Sequence, residues 1–170
     1  MRALDNTQVA GWSMIAGGVV FLLFWLGDLQ PWAFALSVHG LSIGLLSVGL
    51  IAHARYSDAS RPIRLLTRVG VGATVTGLLT VGPLIYIGLW LVGLSAVLER
   101  RASIAGAAFL LGSVLYLVAY ATGVRLGFED APALTGAQQA LTVISLVAIA
   151  AGCALIGYGR LRAEPVHDQA

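Results

Sequence analysis

Two histidines stand out among the residues that could do chemistry. His39 and His53 are 14 positions apart in a stretch, Trp32 to Ala54, that holds no Asp, Glu, Lys or Arg. On a helix, that separation spans about 21 Å and ends about 40° short of four full turns. The two imidazoles would then share a face. No other apolar stretch contains a histidine, and His167 lies in the polar tail. The plainer expectation has His39 hydrogen-bonded inside a bundle, His53 at a water interface, and no cofactor.

The spacing is similar to that of membrane cytochromes b, which place two histidines on one helix and their opposite ligands on a second. That resemblance implies haem through His39 and His53, which here would need a second copy of the chain or a foreign partner. Gly40-Leu41-Ser42-Ile43-Gly44 matches the Gly-x-Ser-x-Gly pattern of serine hydrolases. That motif works on a strand-to-helix elbow, whereas here it sits in an apolar helical stretch. In outline the chain also resembles rhomboid intramembrane proteases. Their pattern puts glycine directly after the serine and histidine on another helix. Here Ile43 follows Ser42, and His39 shares its helix. No catalytic residue is assigned, and the balance is against an enzyme.

Two aromatic pairs, Tyr86 with Trp90 and Tyr116 with Tyr120, are each spaced i,i+4. With His39 they form a candidate pocket for a planar or lipid-like ligand between helices; ordinary packing is the competing role. Ser37, Gly40, Gly44 and Ser47 form a small-residue stripe, and Gly152 belongs to a similar one. Such stripes let helix backbones approach closely where lipid supplies no hydrophobic drive. Arg55, Arg61, Arg64 and Arg68 are the densest basic cluster, suited to anionic headgroups or an acidic partner. Cys153 is the single cysteine, so no disulfide can form within the chain, and the absence of lysine excludes Schiff-base chemistry.

The elements that must position these residues follow from composition. Of 170 residues, 58% are hydrophobic and 11% charged, against about 25% charged in an average soluble domain. Mean hydropathy is +0.88. Val69 to Leu98 is a run of 30 residues without a charge, and a membrane helix needs about 20. This pattern argues against a soluble globule, a nucleic-acid binder and a disordered regulator. It predicts an all-α integral membrane protein with helices near 9–27, 32–54, 65–81, 83–98, 102–124 and 140–158, and a polar tail at 159–170. The first segment is read as a retained helix rather than a cleaved signal.

The alternative is five helices, with 69–98 as one long helix kinked at Gly82-Pro83. The positive-inside rule separates the two. Six helices put Arg2, Arg55, Arg61, Arg64, Arg68, Arg100, Arg101, Arg160 and Arg162 on one side and only Arg125 on the other; five give six against four. Six helices with both termini cytoplasmic, in a bacterial plasma membrane, is the expected topology. The predicted spans carry no Asp, Glu or Lys, which disfavours a charge-coupled pump. The function expected is a non-catalytic accessory or scaffold bundle, with a membrane partner or a second copy. A carrier or binding component for a small neutral or lipophilic solute is the alternative, and a His39-centred redox or other membrane enzyme the third reading.

Overall fold

A computed structural model describes residues 6–26, 32–55, 59–80, 83–99, 103–123 and 135–162. Among these residues the structure is all helical: α1 (Asn6–Leu26), α2 (Trp32–Arg55), α3 (Arg61–Thr80), α4 (Leu84–Leu98), α5 (Ser103–Ala121) and α6 (Gly136–Arg162).

Local chemistry sets the helix ends. Pro83 lacks an N–H and suits a helix start; its carbonyl accepts the N–H groups of Tyr86 (3.1 Å) and Ile87 (3.3 Å). α3 has already ended at Thr80, and α4 returns beside it, with Gly77 against the backbone of Ile85 and Gly70 against that of Gly88. The segment 69–98 is thus a hairpin and not one kinked helix. α5 ends in Thr122 and Gly123, the glycine taking the left-handed conformation (φ 101°) that closes many helices. α6 opens with a capping box. The Thr135 hydroxyl accepts the Gln138 N–H at 3.4 Å, and Gln138 Oε1 accepts the Thr135 N–H at 2.9 Å. The Gln138 amide also donates to the Thr122 carbonyl (2.9 Å), tying the start of α6 to the end of α5. α6 and α3 each begin four residues before the starts expected at 140 and 65, because polar first turns fall below an apolarity threshold.

Each helix packs antiparallel to the next, and the cycle closes through α1 against α6; the α2–α3 contact is much the thinnest. Large apolar side chains fill the interior, among them Met14, Phe21, Leu50, Leu78, Phe109, Leu146 and Ile149. Glycines set the closest crossings. A Cβ on Gly11 would lie 2.8 Å from the Gly157 carbonyl, and one on Gly157 would lie 2.5 Å from that of Gly11. Buried hydroxyls mostly return to their own helix: Thr74 donates to the Gly70 carbonyl at 2.8 Å and Thr142 to that of Gln138 at 2.8 Å. Ser145 is different, donating across to the Gly112 carbonyl of α5 at 2.7 Å.

Up-and-down alternation gathers the described arginines toward one end. Arg55 closes α2, Arg61 and Arg64 open α3, and Arg160 and Arg162 close α6. Two helices, Ser103–Ala121 and Gly136–Arg162, are long and apolar enough to cross a membrane. Gln8–Leu23, Gly40–Arg55 and Leu84–Leu98 are shorter apolar helices.

Candidate functional site

Of the residues expected to line a pocket, Tyr86 and Tyr116 are brought together. Tyr86 on α4 and Tyr116 on α5 are both buried and stack on each other, with ring centroids 3.5 Å apart and planes 15° from parallel. Each ring occupies the space a ligand would need beside the other. Tyr120 packs partly buried against the core, and Trp90 is on the outer surface at 37% exposure. His39, the fifth member, falls within α2, but its side chain lies outside the described residues.

His53 has a definite role in packing. It is buried near the end of α2, and Arg160 reaches it from α6. Arg160 Nη2 lies 3.4 Å from His53 Nδ1 and donates to the His53 carbonyl at 3.2 Å. A guanidinium can only donate, so a hydrogen bond across the ring contact requires the tautomer with the lone pair on Nδ1 and the proton on Nε2. A histidine that ligates a metal through Nε2 needs the reverse tautomer, with Nδ1–H held by an acceptor. The carbonyl contact also satisfies one of the acceptors that the last turn of a helix leaves unpaired. Among the described residues no group of three His, Cys, Asp or Glu gathers as metal ligands would.

The small-residue stripe divides. Gly40 and Gly44 are exposed, and nothing comes within 4 Å of a Cβ built on either, so they mediate no close packing among the described residues. The Ser37 side chain lies outside the described residues, while the Ser47 hydroxyl is buried with no hydrogen-bond partner among the described residues. Gly152 does serve close packing: a Cβ there would meet the Phe109 ring at 2.8 Å. Close approaches that spacing alone did not single out include Gly70 with Gly88 and Gly93 with Gly106.

Arg55, Arg61, Arg64 and Arg68 are all exposed. Arg162, nearby in sequence to Arg160, lies over the Tyr158 ring at 4.5 Å. Two more buried hydroxyls, Ser42 on α2 and Ser113 on α5, likewise have no hydrogen-bond partner among the described residues. Sequence reasoning counted Arg160 only toward topology and Ser145 only as a small residue in the Gly152 stripe, and it passed over Thr135. For Thr135 the signal was present, since Thr-x-x-Gln before an apolar run marks a helix start.

In comparisons with known proteins, no family model, no curated protein and no solved structure matches this chain.

Proposed function

We propose that this chain is a multi-pass bundle embedded in a bacterial plasma membrane, with its arginine-bearing end and both termini on the cytoplasmic side. Its work is that of a non-catalytic accessory or scaffold subunit acting through its outer surface. One observation carries this reading: large apolar side chains face outward on every helix. They include Trp12 and Leu23 on α1, Leu41 and Ile51 on α2, Leu65 and Leu79 on α3, Ile87 on α4, Ile104 and Leu111 on α5, and Ile144 and Leu155 on α6. Water-soluble monomers rarely expose apolar patches of more than a few hundred Å², whereas lipid is an apolar solvent for all of them. Among the described side chains that looked chemical, Tyr86 stacks on Tyr116 and His53 meets Arg160.

Extraction from membranes in mild detergent, followed by native mass spectrometry, tests the role. A stable complex with another membrane protein or with a second copy is expected. A lone chain holding a small solute would contradict it.

The unpartnered Ser42 and Ser113 hydroxyls favour a second reading, a binding component for a small neutral solute. Buried polar groups normally find a partner, and a solute hydroxyl or carbonyl would serve. A thermal-shift screen against neutral metabolites, with Ser42→Ala and Ser113→Ala as controls, tests it. Stabilisation that both substitutions abolish supports it, and no stabilisation removes it.

A further inference from the structure

We propose that the outward face of α3 is a seat for one anionic phospholipid of the cytoplasmic leaflet, an inference that rests on the membrane reading above. Arg61, Arg64 and Arg68 follow at i, i+3 and i+7, within about 60° of one another around the helix and about 10 Å along it. All three are exposed, and among the described residues none meets a carboxylate. Leu65, Val69, Gly72, Thr76 and Leu79 continue the same face upward, and every one is exposed. Nothing lies within 4 Å of a Cβ built on Gly72.

The dimensions suit a single lipid. From Arg68 to Leu79 is 11 residues, about 16 Å of helix rise. One leaflet contributes about half of the 30 Å hydrocarbon thickness. A phosphate held by the arginines would therefore lay its acyl chains along Val69, Thr76 and Leu79, over the open space at Gly72. Guanidinium groups suit phosphate oxygens, which they bind through paired N–H donors. α3 also borders the thinnest helix contact of the bundle, against α2, so the lipid would lie beside the seam that the protein itself packs least.

The test uses the full chain in nanodiscs of equal phosphatidylcholine and phosphatidylglycerol, with the lipids retained on ejection counted by native mass spectrometry. Phosphatidylglycerol should be retained about fivefold over phosphatidylcholine, the factor one surface arginine supplies. The triple substitution Arg61→Gln, Arg64→Gln, Arg68→Gln should abolish that preference. A triple lysine replacement, which keeps the charge that orients the chain, should keep most of it. Gly72→Leu leaves the arginines intact and fills the acyl lane, so it should lower lipid retention without altering the fold. Equal retention of both lipids by the native chain, or an unchanged preference in the glutamine variant, overturns the inference. A chain that alkaline carbonate strips from membranes would overturn the membrane reading instead.

Discussion

Gly93 of α4 and Gly106 of α5 face each other across the closest point of their helices. A Cβ on Gly93 would lie 2.8 Å from the Gly106 carbonyl, and one on Gly106 would lie 2.6 Å from that of Gly93. Gly11 with Gly157 and Gly70 with Gly88 repeat the relationship at the α1–α6 and α3–α4 crossings. Helix backbones this close gain dispersion contacts, the means by which small residues drive helix association in membranes.

Gly93→Ala and Gly106→Ala should each destabilise the bundle by about 1–3 kcal/mol, because the obstructing atoms are backbone and the helices must separate. Gly40→Ala and Gly44→Ala meet open space. These should be neutral or stabilise by up to about 1 kcal/mol through helix propensity. Thermal midpoints in one detergent rank all four.

Ser145→Ala removes the hydroxyl that α6 donates to the Gly112 carbonyl. Bonds of this kind inside membrane proteins average about 0.6 kcal/mol, so a small loss is expected. The obstruction beside Gly112 comes from the Ser145 carbonyl and from Ile149, and both survive the change. Gly112→Ala should therefore cost clearly more than Ser145→Ala in the same unfolding assay.

Thr135→Ala breaks the capping box and should cost about 1 kcal/mol. Gln138→Ala additionally frees the Thr122 carbonyl at the end of α5. Amide hydrogen exchange should accelerate in the first turn of α6 for both variants. It should accelerate in the last turn of α5 for the Gln138 variant alone.

Arg160→Gln withdraws a donor from the end of α2. Exchange in the last turn of that helix should quicken about fivefold, matching about 1 kcal/mol for a cation at a helix C-terminus. His53→Ala keeps the main-chain carbonyl that Arg160 also meets, so its effect on exchange at that turn should be smaller.

The helix count was legible because Gly82-Pro83 is strong punctuation and because counting arginines by side penalised the five-helix alternative. Helix starts were less legible. Arg61 and Arg64 open α3, and Gln138 and Gln139 lie in the first turn of α6, where an apolarity threshold discards the very residues that cap and begin a helix. Partners between helices were not legible. Tyr86 was grouped with Trp90 by spacing within one helix, but its ring stacks on Tyr116 of the next. The glycine stripe at Gly40 and Gly44 has the same periodicity as stripes that do pack. Only the three-dimensional arrangement separates it from Gly93 and Gly106.

The central claim, a bilayer-embedded bundle with its arginine-bearing end in the cytoplasm, is tested most directly by single-cysteine labelling in intact cells. Cys153 is buried and is the only cysteine, so Cys153→Ala provides a background for probes at Ser60 beside α3 and Gln139 on α6. The account predicts that a membrane-impermeant maleimide labels the Gln139 probe in intact cells, and the Ser60 probe only after the membrane is opened. Labelling of both probes, or of the Ser60 probe alone, in intact cells would contradict it.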